Sequence, residues 1–117
     1  MAKTKPLLPS LREKKRYLAY EVISSHRFND AMELSKAIYD TAKEFLGDLG
    51  MAKAGIISMQ DQFNQKSQKG VIRVNNNHID ELKASFVFLR AINGHDVIVK
   101  SVGASGVLKK TQQRYLN

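Results

Sequence analysis

From Tyr17 to Ile23 apolar residues fall on both parities, Leu18, Tyr20 and Val22 on one and Tyr17, Ala19 and Ile23 on the other, with Glu21 as the interruption. A strand with one wet face alternates between apolar and polar residues. This pattern therefore predicts a central strand, from about Arg16 to Ser24, covered on both sides. The polar connector Ser25-His26-Arg27-Phe28-Asn29 ends it. Asp30-Ala31-Met32-Glu33 then has the spacing of a capping box, with Asp30 as N-cap and Glu33 reaching back. Behind it Leu34, Ile38, Phe45 and Leu49 recur at helical spacing, with Ala31, Ala42 and Leu46 beside them and Lys36, Asp40, Lys43 and Glu44 on the outer face. The spacing predicts an amphipathic helix of about four to five turns, stopped by Gly47 or Gly50.

Ala54 to Met59 reads as a second strand and Gly70 to Val74 as a third. The polar stretch Gln60 to Lys69 between them reads as a hairpin end or strand extension, in preference to a loop reaching for a nucleic acid. Asn75-Asn76-Asn77 caps a second helix with the stripe Ile79, Leu82, Phe86 and Leu89, widened by Val87, Phe88, Ala91 and Ile92, and Asn93-Gly94 ends it. His95 to Val102 is the fourth strand, and a short helix closes the chain from Ser105 to Leu116, with Leu108, Gln112 and Tyr115 on one side. The order β-α-β-β-α-β predicts an α+β, ferredoxin-like domain. This is the split βαβ or RRM-like plan, an antiparallel sheet with two packing helices and a short C-terminal helix. In that plan the first strand lies between the third and the fourth, and the end of the fourth meets the start of the first.

That geometry gives the charge its meaning. The 117 residues carry a net charge of +8 and suit one domain, 1–117, with an extended arm at 1–11 around Pro6 and Pro9 and a basic tail at 105–117. Six Lys/Arg stand against one Glu in residues 1–16, and four Lys/Arg against no acid from Lys100 onward. The span between is nearly neutral. The topology brings Arg12, Lys14, Lys15 and Arg16 to the same sheet edge as Lys109, Lys110 and Arg114. A basic edge on a neutral body predicts a polyanionic partner, most often nucleic acid. The chain has no cysteine, which excludes disulfides, thiolate metal sites and cysteine nucleophiles and fits a reducing interior. No apolar run is long enough to span a membrane, so the expectation is a soluble, cytoplasmic protein with no membrane partner.

RRM domains bind RNA through aromatic residues on the open sheet face. Here Lys69-Gly70 begins like that signature, but Val71, Ile72 and Val74 stand where rings are needed, so the third strand offers no aromatic platform. Apolar residues on both parities instead predict that the face opposite the helices is covered by a partner chain, by a second copy through self-association, or by the arm with its Leu7 and Leu8. His26, His78 and His95 are scattered, with no ligand spacing, no nucleophile elbow and no P-loop, so neither a metal site nor catalytic residues are expected. In Val102-Gly103-Ala104-Ser105-Gly106-Val107-Leu108-Lys109-Lys110, small residues precede a helix start that carries two lysines. Ser105 as cap and Gly106 beside it make a candidate phosphate site.

Leu8-Pro9-Ser10-Leu11-Arg12-Glu13-Lys14-Lys15-Arg16-Tyr17-Leu18 resembles the opening of archaeal ribonuclease P protein component 2, whose eukaryotic relatives are called Pop-five. The closing Gly103 to Lys110 is similar to that family's Ser-Gly-Thr-Ile-Lys-Lys ending, with Val107 where the pattern has Thr. The resemblance implies a subunit of the ribonucleoprotein that removes 5′ leaders from precursor tRNA, an endonuclease in which the RNA does the chemistry. It implies as partners ribonuclease P RNA, protein component 3 (the Rpp-thirty type), the other protein subunits and precursor tRNA. No cofactor is then held by this chain, magnesium serving the RNA. The expected RNA contacts are Arg12, Lys14, Lys15, Arg16, Ser105, Gly106, Lys109, Lys110 and Arg114. The alternative is a ferredoxin-like protein–protein adaptor whose basic ends only aid solubility.

Overall fold

The computed structural model describes residues 14–116. The arm at 1–11, with Leu7 and Leu8, and Arg12 lie outside the described residues. The elements are β1 (Lys15–Ile23), α1 (Ala31–Ala54), β2 (Ile57–Asn64), β3 (Lys69–Asn75), α2 (Ile79–Ser85), β4 (Ala91–Ile92), β5 (His95–Asp96), β6 (Ile98–Ser105) and α3 (Leu108–Tyr115). The main sheet runs β2-β3-β1-β6, antiparallel throughout, which is the ferredoxin-like order. β1 is central, as its two-sided apolar pattern predicts. Leu18, Tyr20 and Val22 face α1 and α2 and share a core with Leu34, Ile38, Ala42, Ile72, Val74, Leu82, Phe86 and Val99. Full burial of a side chain such as Leu18, Leu34 or Leu82 contributes about 2 kcal/mol. The ion pair Lys36–Asp40 is exposed and adds little, so packing holds the fold.

The middle of the opposite face is covered from within the chain. α3 folds back over it, and Leu116 packs on Ala19 and Val71, joined by Tyr17, Met59, Val102, Leu108 and Tyr115. The Thr111 hydroxyl, fully buried, donates to the Tyr17 carbonyl at 3.1 Å. At the far end the Leu116 carbonyl accepts from Asn64 Nδ2 at 2.8 Å and Ser67 Oγ at 3.0 Å. Neither a partner nor a second copy is needed to cover Ala19 and Val71. A bulge places Val102 beside Gly103 on this face, because β6 advances two residues, Ser101 to Gly103, while β1 moves one, Tyr20 to Ala19.

Several expectations are corrected. The first helical stretch of α1 does break at Gly47 (φ 75, ψ 173), a backbone conformation open only to glycine, but helix resumes beyond it, runs past Gly50 and ends at Gly55, and Phe45 and Leu49 are exposed rather than part of the stripe. Ala54, read as strand, is the last residue of that helix. α2 stops early, becomes a tight turn over Phe86–Phe88 with Val87 and Phe88 exposed, and gives way to the β4–β5 hairpin. Asn93 (φ 49) and Gly94 (φ 83) form that hairpin's turn, so the pair is not a helix stop, and the long strand begins at Ile98 instead of His95. Half of the capping box survives: Asp30 Oδ1 accepts from Met32 N at 2.9 Å, while the Glu33 carboxylate accepts from Asn93 across the hairpin.

Candidate nucleic-acid interface

The antiparallel pairing of β1 with β6 sets Tyr17 opposite Ser105, so the start of the first strand and the end of the last share one edge. There Lys14, Lys15, Arg16, Tyr17, Asn76 and Gly106 line an open cleft of about 510 Å³. Its floor is tied by Asn76 N–H donating to the Lys14 carbonyl at 2.6 Å. The Lys15 ammonium donates to Asn75 Oδ1, and Asn75 Nδ2 donates in turn to the Lys53 carbonyl at the end of α1, 2.7 Å away. A neutral amide thus fixes the Lys15 stem without cancelling its charge. Among the described residues no carboxylate pairs with Lys14, Lys15, Arg16, Lys109, Lys110 or Arg114. Arg16 Nε is buried and has no hydrogen-bond partner among them. Its hydrogen-bonding capacity is thus unfilled at that atom.

The glycine-rich stretch takes a different form from the one expected. Gly103, Ala104 and Ser105 are strand, and only Gly106 and Val107 make the turn. Ser105 is not the helix cap: its Oγ accepts from Val107 N at 3.1 Å, and Val107 is the N-cap, without a side-chain bond. Of the expected contacts, Lys14, Lys15, Arg16 and Gly106 meet in the cleft, and Ser105 adjoins it opposite Tyr17. Lys109 and Lys110 are exposed on the first turn of α3. Arg114 is exposed four residues beyond Lys110, about 6 Å further along an axis that leads away from the cleft. Arg12 lies outside the described residues. Lys66 and Lys69 sit at the other end of the sheet, where Gln68 clamps the backbone of Phe28 through two bonds of 2.9 and 3.0 Å. Tyr17 and Asn76 belong to the cleft too. The asparagine run was legible only as a helix cap, and Tyr17 only as strand.

The histidines do not all stay apart: His26 and His95 stack with centroids 3.8 Å apart and planes 4° off parallel, edge-on to Phe28. His78 Nδ1 lies 2.6 Å from Glu81 Oε1. Among the described residues no group of three or more His, Asp or Glu is placed to hold a metal ion, and no helix is long and apolar enough to cross a membrane.

Residues 16–116 match the Rpp14/Pop5 family. The chain is 38% identical to ribonuclease P protein component 2 of Thermococcus kodakarensis over 97% of its own length and 92% of that protein. It is also 38% identical to the Pyrococcus furiosus protein of the same name, with the same coverage. The Methanosarcina acetivorans protein of that name is 33% identical over 96% of this chain and 81% of its own length. Among solved structures, a chain of the cryo-EM structure of yeast ribonuclease MRP superposes with a TM-score of 0.61, covering 83% of this chain and 77% of that one at 16% identity, which supports the fold. With a family match that runs from Arg16 in β1 through α3, and relatives aligned over nearly the whole chain, the protein belongs to the Rpp14/Pop5 family.

Proposed function

We propose that this chain is a cytoplasmic protein subunit of ribonuclease P that binds and supports the catalytic RNA, in company with component 3 and the other protein subunits, for 5′ maturation of precursor tRNA. The RNA, with magnesium, performs the cleavage, and this chain alone is inactive. The observation that carries the reading is the cleft where Lys14, Lys15 and Arg16 meet the turn that leads into α3, its cations free of carboxylates among the described residues. Such a site neutralises phosphates and releases their counterions, so affinity falls steeply with salt. Exchanging Lys14, Lys15 and Arg16 together for Gln is expected to weaken binding to the RNA and to lower the salt slope by roughly two to three units. Unchanged affinity and slope would remove the cleft as the RNA site. Cleavage assays at low magnesium, with component 3 alone and then with this chain added, test the subunit role. The adaptor reading draws on the exposed ring pair Phe45–Phe88, 5.2 Å apart, and predicts protein capture without salt-dependent RNA binding.

A further inference from the structure

Beside the cleft, one residue from each strand forms a row across the sheet: Ile57 opposite Arg73, Arg73 opposite Tyr17, Tyr17 opposite Ser105. Directly paired residues share a face, and Tyr17 places this row on the α3 side. The next row, Met59, Val71, Ala19 and Gly103, lies under α3, where Tyr115 and Leu116 cover it. Arg73 and Ile57 are not in that packed cluster, and Ile57 is 51% exposed. The row contains no carboxylate. Arg73 Nε is buried without a hydrogen-bond partner among the described residues, like Arg16 Nε in the adjoining cleft.

A planar cation beside an aromatic ring, bordered by an exposed aliphatic side chain and a hydroxyl, is the combination that receives an unstacked base. Bases stack on rings and guanidinium planes, and their phosphates seek donors. We propose that this row holds an unpaired nucleotide of the RNA, its base against Tyr17 and Arg73 and its phosphate at Ser105 and the neighbouring cleft. The proposal rests on the RNA-binding reading above and extends it from charge at an edge to a seat for a single-stranded segment. Charge complementarity favours RNA as the occupant, because the row opens onto Lys14, Lys15 and Arg16.

The test compares binding of a single-stranded RNA and of a blunt RNA duplex to the full chain and to Arg73→Gln, Arg73→Lys and the Lys14/Lys15/Arg16→Gln variant. Arg73→Gln is expected to weaken single-strand binding roughly tenfold while leaving the duplex within about twofold, since a paired base cannot enter the row. Arg73→Lys keeps the charge and loses the plane, and is expected to recover only part of the loss. Equal losses on both probes, or no loss on the single strand while the triple variant still weakens it, would overturn the seat and leave the RNA reading standing. No effect of the triple variant on either probe would overturn that reading and the seat with it. Should Arg73→Gln fail to fold, Arg73→Lys decides alone: a loss confined to the single strand supports the seat, and equal behaviour on both probes overturns it.

Discussion

Tyr20 lies across Gly70 of the neighbouring strand so closely that a Cβ there would stand 2.5 Å from the phenol oxygen. Burial pushes the phenol well above the ordinary tyrosine range, because a phenolate would lose its solvation inside the core. The folded state therefore holds this proton more tightly than the unfolded one. That contribution is fully present below the unfolded value of about 10 and is lost as pH rises above it. Tyr20→Phe is expected to melt within a few degrees of wild type at pH 7 and to gain on it steadily from pH 10 to 11. Melting curves that fall in parallel over that range would exclude Tyr20 as a source of alkaline instability. At this scale the sequence was informative where a side chain acts locally: Asp30 was legible as an N-cap from position alone. It was silent where the partner is remote. Nothing near Glu33 announces Asn93, and nothing near His26 announces His95, because each contact depends on a hairpin whose two arms read as the end of a helix and the start of a strand.

α3 shows the same limit for a whole element. Its outer positions are Lys109, Lys110, Gln113 and Arg114, and it grips the sheet with Leu108, Thr111, Tyr115 and Leu116. Two turns are too few for a helical period to stand out, so α3 was legible as a short helix and not as the cover of the sheet. Gly103 decides its seat: a Cβ there would meet the Tyr115 ring at 2.3 Å. Gly103→Ala is expected to destabilise the fold by about 1–3 kcal/mol, the range for overpacking, with Tyr115→Leu in the same chain restoring part of it. Amide exchange in β1 is the sensitive reading, since Thr111 and Leu116 guard Tyr17 and Ala19. Protection unchanged by Gly103→Ala would mean that α3 accommodates the methyl group by sliding. The β4–β5 hairpin was hidden for another reason. Asn-Gly serves both as a helix stop and as a two-residue turn, and the apolar run Phe86 to Leu89 continued the helical stripe up to it. In α1 the break at Gly47 takes Leu49, which lies beyond it and is exposed, out of register with Ile38, although its spacing fits a straight helix.

Across the whole molecule the most informative sequence feature was the placement of charge, and the topology completed it. Lys14, Lys15 and Arg16 come to lie beside the turn that leads into Lys109 and Lys110, although about ninety residues separate them in sequence. With no carboxylate among the described residues to pair them, these cations repel one another in the free protein. The unfolded chain holds the two ends far apart, so the repulsion is borne by the folded state and is screened by salt over about 10 Å at 0.1 M. The protein is therefore expected to gain stability between about 0.02 and 0.3 M sodium chloride. Relief of roughly 1 kcal/mol corresponds to about 4 °C in a domain of this size. General salting effects act on any protein, so the decisive quantity is the difference from the Lys14/Lys15/Arg16→Gln variant. That variant should start higher at low salt and rise less, the two curves converging as screening becomes complete. Curves that stay parallel would mean that the two ends do not feel each other in the fold, and the cleft would lose its standing as a single electrostatic site.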